Sequence, residues 1–88
     1  MASYRYLVTG RVQGVGYRYF TLQIAQTLGV SGFARNLPDG RVEVLAEAPD
    51  AVMAQFEEKL REGPSFAEVS SLDRTPIEPR GDHGFHVR

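Results

Sequence analysis

Apolar and polar positions alternate at the start of the chain. Tyr4, Tyr6 and Val8 fall on one parity, Arg5 and Thr9 on the other, and Leu7 adds an apolar residue to the second face. This period of two predicts a strand with two possible apolar faces. The period then changes. Tyr17, Phe20, Ile24 and Leu28 recur at spacings of three and four, which predicts one stripe of a helix ending at Gly29. Between the two patterns lies Gly10-Arg11-Val12-Gln13-Gly14-Val15-Gly16-Tyr17-Arg18, read as a glycine-containing turn from strand to helix.

Residues 30–37 predict a second strand, with Gly32, Ala34 and Asn36 on one face and Phe33 and Arg35 on the other. Pro38-Asp39-Gly40 predicts a tight reversal, because proline presets its own φ and glycine accepts a positive one. A third strand follows, with Val42, Val44 and Ala46 inward and Arg41, Glu43 and Glu47 outward, so the two strands form a hairpin. Pro49-Asp50 opens a second helix whose stripe is Val52, Phe56 and Leu60 and whose wet side is Glu57, Glu58, Lys59 and Arg61; Gly63-Pro64 closes it. Residues 67–75 predict a strand in which Val69 and Leu72 differ in parity, the mark of a bulge or irregular edge. Pro76 and Pro79 mark a loop, and Phe85 and Val87 a short terminal strand. The order is β-α-β-β-α-β with a possible extra strand. Two helices cannot cover both faces of one small sheet, so both pack on the same face in a ferredoxin-like two-layer α/β sandwich, class α+β, with a mostly antiparallel sheet.

Composition narrows the chemistry. At 88 residues the chain is expected to be one domain over 1–88. It has no cysteine, which excludes thiolate nucleophiles, disulfides and zinc-thiolate sites. No apolar run approaches the ~20 residues of a membrane span and the N-terminus lacks a signal-peptide core, so the expected location is cytoplasmic. The net charge of −1 hides an asymmetry: residues 1–38 hold Arg5, Arg11, Arg18 and Arg35 and no acid, and all 11 acids lie from Asp39 onward. Arginines without local carboxylates favour an anion from outside. Arg5 and Arg11 could equally pair across the fold with later acids; Arg18 has the glycine turn beside it.

A strand-to-helix turn leaves backbone N–H groups unpaired at the helix start, a suitable seat for a phosphate. Dinucleotide and P-loop readings fail: the third glycine of the dinucleotide fingerprint falls on Tyr19, and no lysine follows the second glycine. His83 and His86 sit at an odd spacing that would send them to opposite faces of an extended segment, which disfavours a metal site. No serine triad can be assembled, and no carboxylate stands near the turn to form an aspartyl-phosphate. The segment thus offers arginine and amide donors, without nucleophile or base. Arginine's planar fork can hold two phosphate oxygens, so the substrate must be labile or supply its own base, as an acyl phosphate does. What remains is to orient a water, a task suited to an amide that both donates and accepts. Asn36 is the candidate, provided that strands one and two share a layer.

Gly10-Arg11-Val12-Gln13-Gly14-Val15-Gly16-Tyr17-Arg18 resembles the first signature of acylphosphatases, and Gly32-Phe33-Ala34-Arg35-Asn36-Leu37-Pro38-Asp39-Gly40-Arg41-Val42-Glu43-Val44 resembles the second, at the family's spacing. The resemblance implies a ferredoxin-like sandwich that hydrolyses the carboxyl-phosphate bond of acyl phosphates without a cofactor. It implies that Arg18 binds phosphate together with the loop amides of Gln13, Gly14, Val15, Gly16, Tyr17 and Arg18. It also implies that Asn36 orients the attacking water and that the substrate's phosphate acts as base. The chain departs from many members in having Leu37 in place of a threonine and Phe33 in place of a tryptophan, and Gly16 stands at a variable loop position. The expected partner is a small-molecule acyl phosphate, with no nucleic acid and no membrane, and the expected state is a monomer. Two alternatives carry different expectations. A module serving a carbamoyl-phosphate-using partner would need another chain, since no further domain follows Arg88 in this sequence. An RNA binder would use Tyr4, Tyr6 and Phe33 for stacking, but a near-neutral chain lacks the usual basic surface.

Overall fold

The alternating first segment becomes β1 (Ala2–Arg11) in the computed structural model, which describes residues 1–88. It is followed by α1 (Tyr17–Leu28), β2 (Ser31–Asn36), β3 (Val42–Ala48), α2 (Asp50–Glu62), β4 (Glu68–Pro76) and β5 (Phe85–Val87). The strands form one sheet in the order β4-β1-β3-β2-β5. All pairings are antiparallel except β2 with β5, so the expected extra strand exists and runs parallel to its neighbour. This is the expected ferredoxin-like α+β fold.

Register puts the apolar parity on one face: Tyr6 opposes Val44, Val8 opposes Val42, and Ala34 opposes Val44 from the other side. These side chains are fully buried, in one cluster with Val12, Tyr17, Ala25, Met53, Phe56, Leu60 and Phe85. The helices lie over that face, α1 against β2 and β5, α2 against β3 and β4. No helix is long and apolar enough to cross a membrane.

The helices are rotated from the predicted stripes. In α1 the buried seam is Tyr17, Thr21 and Ala25, while Phe20, Ile24 and Leu28 are half-buried beside it. Small residues let the helix approach the sheet closely, and Thr21 satisfies its own hydroxyl by donating to the Tyr17 carbonyl at 2.9 Å. The larger residues are displaced to the flank, where they line an interhelical cleft with Gln55 and Lys59. In α2, Met53 rather than Val52 joins Phe56 and Leu60 in the core.

Glu43 also departs from expectation, being only 3% exposed although it lies on the face without helices. Arginine side chains cover that face instead. Arg5 and Arg35, from the strands on either side, each donate Nε to the Glu43 carboxylate, at 2.5 and 2.6 Å. The guanidinium groups of Arg88 and Arg80 lie 4.0 and 5.4 Å from the centroid of the Phe33 ring, which is buried beneath them.

The parity change in β4 is a bulge. Thr9 opposes Ser71 and Gly10 opposes Val69, so Ser70 is the extra residue. Gly10 is required there: at φ +134° a Cβ would run into the Glu68 carbonyl. After β4 the chain is irregular, held by Ile77 N–H donating to the Ser3 carbonyl and by the Arg80 and Gly81 N–H groups donating to Glu47. His83 lies in this segment rather than in a strand, and its carbonyl is 3.0 Å from the His86 ring nitrogen.

Candidate active site

Since β1 and β2 are both antiparallel to β3, they run in the same direction and their C-terminal ends meet at one end of the sheet. The glycine turn leaves β1 at that end and the Pro38-Asp39-Gly40 reversal leaves β2 there. The condition set on Asn36 is therefore met, although β3 lies between the two strands.

The turn itself is shaped by Gly14 and Gly16, both left-handed at φ +74° and +79°. The backbone freedom at Gly16 is used, because it flanks the first turn of α1 and its carbonyl accepts the Phe20 N–H at 2.9 Å. None of the backbone N–H groups from Gln13 to Tyr19 donates to another group of the chain. That row of free donors at a helix start is an electropositive surface.

The reversal after β2 is closed by the Leu37 N–H donating to the Arg41 carbonyl at 2.8 Å. The Asp39 carboxylate accepts the Arg41 N–H at 3.1 Å and the Arg41 Nε at 2.7 Å. Chiefly that backbone N–H holds the Asp39 carboxyl below the usual carboxylate range. Gln13 reaches across from the glycine turn, and its Nε2 donates to the carbonyl oxygens of Leu37 and Arg41 at 2.8 and 3.0 Å.

A pocket of about 260 Å³ lies between these two loops. Among the expected site residues, Gly14, Gly16, Tyr17, Arg18 and Asn36 line it. Gln13 and Val15 do not: Gln13 is turned to the hairpin and Val15 packs against the core, so each faces the pocket at most through its backbone. Arg18 pairs with no aspartate or glutamate side chain. Its only hydrogen bond runs from Nη1 to the main-chain oxygen of Arg88 at 2.7 Å. Of the other early arginines, Arg5 and Arg35 are engaged by Glu43, and Arg11 makes no ion pair. Tyr17 is buried, donates its hydroxyl to the Leu60 carbonyl at 2.7 Å, and has its hydroxyl pKa pushed up by burial, so it is no base.

The lining contains no carboxylate, histidine or serine, and Arg18 is its one charged side chain. Such a site can hold an anion and orient a water; it offers no carboxylate, imidazole, thiol or serine hydroxyl as nucleophile. Nowhere do three or more His, Cys, Asp or Glu side chains come together to hold a metal ion. The interhelical cleft, of similar volume, is lined by Phe20, Ile24, Leu28 and polar neighbours that include a single charge, Lys59. The aromatics considered for base stacking are largely taken: Tyr6 and Phe33 are buried, and the Arg74 guanidinium sits 4.6 Å from the centroid of the Tyr4 ring.

Sequence reasoning did not assign Val12, Tyr19 and Val87 to the lining, nor Arg88 to the place behind Arg18. The only signal was the shared parity of Phe85 and Val87, which foretells a strand but not its neighbour. In the fold Val87 lies opposite Ala34, two residues before Asn36.

Comparison with known proteins bears on the family and the fold. The sequence model of the family described as Acylphosphatase matches residues 4–87. An acylphosphatase from Thermus thermophilus is 52% identical over 81 residues, which cover 92% of each chain. The crystal structure of acylphosphatase from Bacillus subtilis superposes with a TM-score of 0.97 at 39% identity, covering 100% of this chain and 99% of that one. The structure of an acylphosphatase from Coxiella burnetii gives a TM-score of 0.94 at 32% identity, covering 99% of this chain and 92% of that one.

Proposed function

The chain belongs to the acylphosphatase family and is an enzyme of that class, and from this premise we propose that Arg18 and the turn amides hold the phosphoryl group while Asn36 orients the attacking water. The observation that carries the reading is that Arg18 and Asn36, 18 residues apart in sequence and on different elements, line one pocket with a turn whose N–H groups are unpaired.

The chemistry asks for little more. Water attacks phosphorus, the bond from phosphorus to the carboxyl oxygen breaks, and a carboxylate departs. A carboxylic acid has a pKa of roughly 4, so the leaving group needs no proton at neutral pH. One proton of the water passes to a phosphoryl oxygen of the substrate itself. The guanidinium fork and the N–H groups, fixed before the substrate arrives, stabilise the charge on the transferred group. Asn36 can accept from the water and donate to a phosphoryl oxygen without changing its own charge. Leu37 has no hydroxyl to assist, and its backbone closes the turn behind Asn36 instead. The same reading takes residues 1–88 as one domain, supported by the single buried cluster beneath the sheet.

Two substitutions test the assignment on a model acyl phosphate in the presence of a chelator. Arg18→Gln keeps the thermal transition, abolishes hydrolysis and weakens inhibition by inorganic phosphate. Asn36→Ala lowers kcat more than it lowers phosphate affinity, because orienting water matters mainly in the transition state. A fully active Asn36→Ala protein overturns the water-orienting role.

A further inference from the structure

The phosphate end of the pocket leaves its rim unexplained. Four large hydrophobic side chains are exposed in the whole chain: Met1, Tyr19, Phe66 and Val87. Two of them, Tyr19 at 63% and Val87 at 40%, line this pocket. Lone exposed apolar residues are ordinary. Two that converge on one concave site, from the first turn of α1 and from β5, are not explained by chance exposure, because the fold had to bring distant segments together to place them there.

Their positions are informative. Tyr19 follows Arg18, and Val87 pairs with Ala34 on the parity of β2 that also carries Asn36. Val12 and Tyr17 complete the apolar lining and are fully buried, which makes them floor rather than rim. The lining therefore combines polar groups, from Gly14, Gly16, Arg18 and Asn36, with exposed apolar ones, from Tyr19 and Val87. An acyl phosphate has the same two-part chemistry. Its phosphoryl group is dianionic, and its acyl substituent begins one carbonyl away. With Arg18 the only charge in the lining, a carboxylate or ammonium on the acyl half would find no second partner there.

Resting on the reading of Arg18 and Asn36 given above, we propose that Tyr19 and Val87 form an acyl subsite that selects bulky apolar acyl groups, aromatic ones above all. The Tyr19 ring offers a flat apolar face with few degrees of freedom to lose, and Val87 adds a second apolar contact in the same lining. Discrimination arises because a small acyl group such as acetyl leaves both side chains in water.

The test compares benzoyl phosphate with acetyl phosphate on the full chain and on Tyr19→Ala, Val87→Ala and Tyr19→Phe. The readout is the ratio of kcat/KM for the two substrates, in which differences of intrinsic reactivity cancel between variants. Tyr19→Ala is expected to lower the benzoyl-over-acetyl ratio about tenfold, the lower end of what a lost apolar contact gives, with a smaller fall for Val87→Ala. Tyr19→Phe keeps the wild-type ratio, because the ring and not the hydroxyl makes the contact. A ratio that stays within about twofold of wild type in both alanine variants overturns the subsite, as does a Tyr19→Phe ratio that falls with them. If the unmodified chain hydrolyses neither substrate, the underlying assignment of the site fails, and the subsite with it. Tyr19 is exposed on a helix, where alanine is the better helix former, so loss of fold does not confound its result.

Discussion

The Nε2 of Gln13 lies 2.8 Å from the carbonyl oxygen of Leu37, the residue that follows Asn36. Its other N–H reaches the Arg41 carbonyl, so one side chain spends both donors on the two ends of the β2–β3 turn. The glycine turn is thereby tied to the hairpin that carries Asn36, although β3 separates their parent strands. Gln13→Ala should cost about 1–2 kcal/mol of stability, from hydrogen bonds removed at a partly exposed site. It should also lower kcat more than it raises KM. Because Gln13 acts through Asn36, the double variant Gln13→Ala/Asn36→Ala should be scarcely slower than Asn36→Ala alone. Steady-state kinetics on the four proteins of this cycle decide it, and additive losses would sever the proposed connection.

Both halves of the candidate pocket were legible as local structure because each sits in a contiguous run of sequence. Gly10–Arg18 and Gly32–Val44 need only local pattern to be read as turn and hairpin, and strand direction then brings Arg18 and Asn36 to one end of the sheet. What stayed hidden depends on distance or on cover. Helical periodicity weights large apolar residues and picked Phe20, Ile24 and Leu28, whereas close packing of α1 on the sheet selects Thr21 and Ala25. Alternation assigns Glu43 correctly to the second face, but nothing local says that Arg5 and Arg35 will bury it there. Val87 belongs to a three-residue strand, too short a pattern to reveal that it pairs with β2.

Two glycines of the signature segments should respond very differently to alanine. At Gly32, φ is +144° and a Cβ would be driven into the backbone carbonyl of Leu45, in the middle of the β2–β3 pairing. Neither strand can yield, so Gly32→Ala is expected to cost upwards of about 3 kcal/mol. At Gly16 a Cβ meets nothing within 4 Å, and only the left-handed backbone is penalised. Gly16→Ala should cost about 1–2 kcal/mol, and Gly16→Asn less, since asparagine tolerates that region better. Thermal midpoints of the three variants rank the effects; equal losses at the two positions would contradict the steric argument.

The start of α1 is also pinned from below. The Tyr17 hydroxyl crosses the core to the Leu60 carbonyl near the end of α2, at 2.7 Å. Tyr17→Phe preserves the ring but leaves a buried carbonyl without that donor, for which a loss of about 1–3 kcal/mol is expected. Urea unfolding should show a lower midpoint with an unchanged slope, because the extent of the buried surface is the same.

Glu43 makes stability depend on pH in a predictable direction. Burial pushes its carboxyl pKa up, but the hydrogen bonds and charges of Arg5 and Arg35 outweigh burial and hold it below the ordinary 4.5. A native pKa below the unfolded one means that the unfolded chain takes up the proton first. The stabilisation is therefore complete above the ordinary value and is lost as pH falls from there through the native value. Near pH 7, Glu43→Gln should be less stable by about 1–3 kcal/mol, less than for a fully buried broken pair because both arginines remain partly hydrated. On acidification the unmodified protein loses its Glu43 contribution, whereas the glutamine protein has none to lose, so the gap between their thermal midpoints should close. Melting both proteins at intervals from pH 7 down to about 2.5 follows this convergence across the ordinary carboxylate range. A gap that holds constant or widens as the pH falls would show that the carboxylate is not held ionised by its two arginines.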